Sequence, residues 1–122
     1  MKELLYIFLG GGTGSLLRYL IHLLINGKAP VGGFPWATFT VNILGCFLIG
    51  VFYSLSTRFQ LSPETRLFLT VGICGGFTTF STFSYEALNL LKGGLYGTFF
   101  LYALLSMGLG ILAVLLGILI SK

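Results

Sequence analysis

At 122 residues the chain is one domain at most. Its 56% hydrophobic and 8% charged residues, against roughly 25% charged in soluble domains, mark an integral membrane protein and exclude a soluble globular one. The net charge of +4 comes from basic residues scattered about one per loop, which builds no nucleic-acid docking stripe.

A membrane span takes about 20 mostly apolar residues, and the chain holds four such runs. The first covers about Leu4 to Ile25. Its apolar run continues into Arg18 without a small-residue cleavage pattern, so it is expected to stay as a span rather than leave as a signal peptide. Within it, Gly10-Gly11-Gly12-Thr13-Gly14-Ser15 is glycine-rich but lacks the Gly-Lys-Ser/Thr of a phosphate loop. A turn-rich loop from Asn26 to Pro35 follows, and the second span covers about Trp36 to Leu55. A polar connector, Ser56 to Pro63, leads to Ser62-Pro63-Glu64, which has the cap, first-turn proline and early acid of a helix start. The third span covers about Glu64 to Leu91, Lys92-Gly93-Gly94 forms a turn, and the fourth span covers about Leu95 to Ile120. The expected fold is therefore an all-α, four-helix membrane domain occupying residues 1–122.

Both termini of a four-span chain lie on one side. Lys2, Arg58, Arg66 and Lys122 share that side, and Lys28, Lys92 and the deep-lying Arg18 belong to the other. Four against three gives the positive-inside rule little to act on, which permits copies inserted in opposite directions. Small residues recur at spacing four (Gly10 and Gly14, Gly93 and Gly97, Ser106 and Gly110), a pattern that lets helices approach closely in lipid. Four short helices enclose little interior, so a polar path favours a homodimer. Cys46 and Cys74 fall inside apolar runs with no C-x-x-C spacing and are expected as small apolar residues.

Polar groups inside spans are costly and informative. Arg18, with His22 four residues on, and Glu86 lie near span ends, where they either snorkel to the headgroups or, for Arg18, charge a wet vestibule that concentrates anions. Asn42 either makes a helix–helix hydrogen bond or offers its amide hydrogens to a passing anion.

The third span is the anomaly. Gly72, Gly75 and Gly76 remove side chains and helix propensity together, and Thr78-Thr79 prolong the weakness. A break there frees carbonyls around Gly75 to Thr78, which at bilayer depth need a donor or a cation. Phe80 and Phe83 share a face, with Thr79 and Thr82 as a hydroxyl row running toward Glu86. Edge-on phenylalanines favour an anion; ordinary core packing also explains them, but not the interleaved hydroxyls. Tyr102 and Ser106, one turn apart, either extend this polar wall or bond between helices. No metal-ligand cluster and no nucleophile–His–carboxylate set is present in the sequence, so an enzyme is not expected.

Gly11-Gly12 through Gly14 with Arg18 and Tyr19, then Asn42-Ile43-Leu44-Gly45, then Gly72-x-x-Gly75-Gly76-Phe77-Thr78-Thr79-Phe80-Ser81-Thr82-Phe83 resemble the Fluc (CrcB) fluoride channels, in order and over nearly the whole chain. The resemblance implies an antiparallel, dual-topology homodimer with a broken third helix, exporting fluoride passively across the cell membrane (the inner membrane if the source is Gram-negative). It implies that Phe80 and Phe83 line the pores, that Asn42 bonds the anion, and that Arg18 sits at a vestibule. Tyr102 and Ser106 match less specific fourth-helix pore positions of the family, and the hydroxyls of Thr79 and Thr82 are expected to line the pore with them. It also implies a structural, untransported Na+ held by the carbonyls of Gly75 and Thr78. The alternative is a small multidrug-resistance-type proton-coupled transporter, whose chemistry needs a first-helix carboxylate; the chain offers only Glu3, at the helix tip.

Overall fold

Four helical runs long and apolar enough to cross a membrane organise the computed structural model, which describes residues 1–26 and 33–122. Helix α1 is Lys2–Asn26 and α2 is Trp36–Arg58. Residues 27–32 of the expected first loop, Lys28 among them, lie outside the described residues. The third run is composite, and α6, Tyr96–Ser121, closes the chain.

The third run starts as its capping residues dictate. Ser62 accepts from the Thr65 amide at 3.2 Å and Pro63 opens α3, Pro63–Leu67. Seven π-helical residues follow, Phe68–Cys74, then a single turn α4, Gly75–Phe77. Thr78 (φ −86°, ψ 159°) and Thr79 (φ −151°, ψ 119°) are extended, and α5 resumes at Phe80–Lys92. The glycines expected to loosen the helix keep helical geometry; the backbone departs two residues later, at β-branched threonines whose helix preference is poor.

What the glycines supply is room. A Cβ on Gly14 would collide with the Ile73 carbonyl and approach the Phe77 amide to 2.9 Å, and one on Gly76 would collide with the Gly11 carbonyl. A Cβ on Gly10 would lie 2.9 Å from Gly72 Cα. Helix α1 and the third run therefore touch backbone to backbone, as small residues permit in lipid. Helices α2 and α6 meet the same way, with Gly50 against the Val114 carbonyl and Gly117 against that of Phe47. Of the three spacing-four pairs, Gly10–Gly14 is used in full and Gly110 sits against Cys46 Sγ. Gly97 faces open space.

The interior is small: Tyr102, Val41, Thr38 and Cys74 are the largest fully buried side chains among the described residues. Leu16, Leu24, Ile111 and Ile120 stand outward with most of the other large apolar residues, the arrangement a lipid-facing surface requires. Both cysteines are free thiols.

Candidate functional site

Where α2, the third run and α6 diverge, an open groove of about 750 Å³ runs along the bundle. Its floor is apolar, with Ile49, Met107, Ile111 and Val114. Its polar edge gathers Asn42, Gly75, Thr78, Thr79 and Ser106, and Phe80 and Phe83 stand beside them. Thr82, Tyr102 and Arg18 lie outside the groove wall.

The extended pair at Thr78–Thr79 reorganises the hydrogen bonding around it. Asn42 faces Thr79 as one amide faces another: its Nδ2 donates to the Thr79 carbonyl at 3.2 Å, and its Oδ1 accepts from the Thr79 amide at 3.0 Å. The Thr79 N–H can only donate, which fixes the orientation of the Asn42 side chain. Asn42 thus makes the interhelical bond that was one of its two expected readings, and one amide hydrogen remains unspent.

Thr79 also caps α5. Its Oγ1 accepts from the Thr82 amide at 3.2 Å and donates to Thr82 Oγ1 at 3.1 Å. The expected hydroxyl row is therefore a directed chain, in which Thr82 receives a hydrogen and keeps its own to donate. These two diversions release backbone acceptors. In an unbroken helix Gly75 would receive the Thr79 amide and Thr78 the Thr82 amide; here both donors are turned to side chains. Gly75 itself is exposed on the groove wall.

Gly76 is treated differently. Its carbonyl accepts from Arg18 Nε at 3.1 Å, on the side of α1. The preceding turns of α1 bring Arg18 there, because Gly10, Gly14 and Arg18 share one helical face at steps of four and the two glycines lie flat on the third run. His22 continues the row: its Nδ1 lies 3.0 Å from the Arg18 carbonyl and its Nε2 3.3 Å from Thr38 Oγ1. A carbonyl only accepts, so Nδ1 carries a proton. Spacing alone placed Arg18 and His22 together. The acceptor at Gly76 was not anticipated, although the four-residue step from Gly14 to Arg18 was the available signal.

The rings form a file. Phe80 and Phe83 have centroids 5.9 Å apart at 33°, and Phe83 and Tyr102 are 4.8 Å apart at 44°. Phe80 is 79% exposed while Tyr102 is wholly buried, so the file runs from the open groove into the bundle. Its inner end is polar: the Tyr102 hydroxyl donates to Glu86 Oε1 at 3.2 Å. Tyr102 and Glu86 are therefore joined behind the groove. Ser106 Oγ is buried and has no hydrogen-bond partner among the described residues, which leaves it the unspent hydroxyl on the α6 side.

A groove that strings an amide, released carbonyls and hydroxyls along a file of rings suits a small ion that must exchange water for fixed dipoles. Residues 5–118 match the family model described as CrcB-like protein, Camphor Resistance. The chain belongs to the CrcB-like family. Similar relatives include a protein of Phocaeicola vulgatus named fluoride-specific ion channel FluC, 61% identical over the full length of both chains. One of the same name in Thermus thermophilus is 52% identical, over 96% of this chain and 93% of its own. Another in Leptospira interrogans is 50% identical over 90% and 87%. With four spanning helices and this membership, the chain is a multi-pass membrane protein.

Proposed function

We propose that the chain is a fluoride-specific ion channel that exports fluoride passively across the cell membrane and so lowers its toxicity inside the cell. The observation that carries this reading is the end-to-end, 61% identity to a relative named for that activity. The groove supplies a chemistry that fits. Fluoride is a small, strongly hydrated acceptor, and a pore must replace its water with donors while binding weakly enough for exit. The remaining amide hydrogen of Asn42, the hydroxyls of Thr82 and Ser106, and the positive edges of Phe80 and Phe83 are such donors, and none is a full charge that would trap the anion; the Thr79 and Tyr102 hydroxyls extend this polar lining but donate to Thr82 and Glu86.

The working unit on this reading is an antiparallel homodimer. One chain leaves its polar groove open along its length, and a second copy inserted in the opposite sense would cover it. The carbonyls of Gly75 and Thr78 fit a structural Na+ because both have given up their helical donors, to Asn42 and Thr79 respectively. Oxygen ligands of this kind suit a hard cation, which when bound supplies fixed positive charge to the dimer centre. The multidrug-transporter alternative wants a carboxylate within the first span, and Glu3 stands half-exposed at its tip beside the Met1 amino group.

The test is efflux of trapped fluoride from liposomes carrying the purified protein, in sodium-containing buffer with a potassium ionophore to collapse the charge barrier. A fluoride electrode should register rapid release, and chloride should stay behind. Release no faster than from empty liposomes would sink the proposal, and a requirement for a proton gradient would return the transporter.

A further inference from the structure

We propose that Arg18 is a positioning residue for conduction, acting by donation from Nε to the Gly76 carbonyl rather than by its charge. The inference rests on the channel reading above and concerns how the groove is held in shape.

Three helical acceptors, Gly75, Gly76 and Thr78, lose their usual donors around the extended pair. Gly75 and Thr78 open onto the groove. Gly76 faces α1, where the Gly11 backbone lies against it. A bare carbonyl in that position is costly. Its simplest repair is local: the Phe80 amide returns to Gly76 and the helix runs on without interruption. That repair would withdraw Thr79 from Asn42 and send the Gly75 and Thr78 carbonyls back into helical bonds. Arg18 removes the incentive by supplying the donor from outside, at 3.1 Å. The glycine contacts of α1 set the distance and the Arg18–His22–Thr38 link holds the next turn.

Donor and charge separate cleanly by substitution. Glutamine carries its Nε2 the same number of bonds from Cα as arginine carries Nε, so Arg18→Gln keeps the donor and loses the charge. Lysine puts a methylene there and its ammonium one atom farther, so Arg18→Lys keeps the charge and loses the donor. In the liposome assay, Arg18→Lys should lower fluoride efflux about tenfold or more, the scale of one charge-assisted hydrogen bond. Arg18→Gln should stay within about threefold of the parent by the same arithmetic. The reverse order, or equal rates in the two variants, overturns the proposal in favour of a charge or general packing role.

A second readout needs no fluoride. Deuterium exchange at the Thr79 amide, in detergent, should quicken about tenfold or more in Arg18→Lys and little in Arg18→Gln. Unchanged exchange in Arg18→Lys overturns the proposal whatever the flux. If the parent protein conducts no fluoride, the channel reading fails and this exchange still judges Arg18. Should Arg18→Lys not fold, the carbonyl ¹³C shift of Gly76 decides: a hydrogen-bonded position shared by the parent and Arg18→Gln supports the proposal, and a free-carbonyl position in the parent ends it.

Discussion

The two faces of the third run obey opposite rules. Toward α1 the glycine stretch meets backbone: Gly72 and Gly76 lie against Gly10 and Gly11, and the Gly76 carbonyl is taken by Arg18. Toward the groove it is all side chain and open space, with Phe80 standing 79% exposed and nothing within 4 Å of where a Cβ on Gly75 would sit. Gly75 and Gly76 are adjacent in sequence and identical in chemistry, yet one belongs to each face. The difference teaches that closeness, not flexibility, is what this glycine run provides on the α1 side. On the other side the groove gathers polar side chains, Asn42, Thr78, Thr79 and Ser106.

The sharpest way to break that comparison is to add one methyl group to each face. Gly76→Ala drives a carbon into the Gly11 carbonyl and should cost about 3 kcal/mol or more, since backbone on both sides cannot yield. Gly75→Ala meets open space at helical φ and should change the stability of the single chain by less than about 1 kcal/mol. Thermal melts of the two proteins in one detergent should separate widely; coincident melts would remove the distinction.

Asn42→Ala probes the groove side. It strands the Thr79 amide and carbonyl together, at about 1–3 kcal/mol for each group left unsatisfied. Unfolding in graded denaturing detergent should show that loss, and Asn42→Asp should not repair it, because a carboxylate cannot donate to the Thr79 carbonyl. Tyr102→Phe removes a single bond, to Glu86, and should cost about 1–2 kcal/mol with the ring file intact. Smallest in stability is Phe80→Ile, within about 0.5 kcal/mol for so exposed a side chain, and here the comparison sharpens. Circular dichroism should be unchanged while fluoride efflux disappears; full efflux would remove Phe80 from the pathway.

Much of this was legible in the chain itself. The four helical runs follow from hydropathy, and the start of α3 follows from Ser62-Pro63-Glu64, whose cap bond is present as expected. The groove's polar members were legible too, because an amide, threonines and a serine inside apolar runs have few uses. What could not be read was the partnering. Whether Asn42 faces a neighbouring backbone or an ion depends on the angle at which α2 crosses the third run, and one residue's hydropathy carries no angle. The π-helical stretch Phe68–Cys74 was equally hidden, since local propensity scarcely distinguishes i→i+5 from i→i+4 bonding. The departure from helix was placed at the glycines because propensity ranks them lowest; contact with α1 outweighs propensity there, and the next weakest residues, Thr78 and Thr79, give way instead.

The pairing of Asn42 with Thr79 has a mechanical meaning. Two antiparallel bonds 3.0 and 3.2 Å long make one rung of a sheet-like ladder between helices, set where hydrocarbon offers no substitute partners. A smooth helix pair can slide or rotate by a turn and find new grooves for its ridges. This pair has a single register, because a shift of even one residue would strip two backbone groups at once. Any breathing of the bundle must then be a tilt about that rung, with α2 and the interrupted run moving as a joined frame.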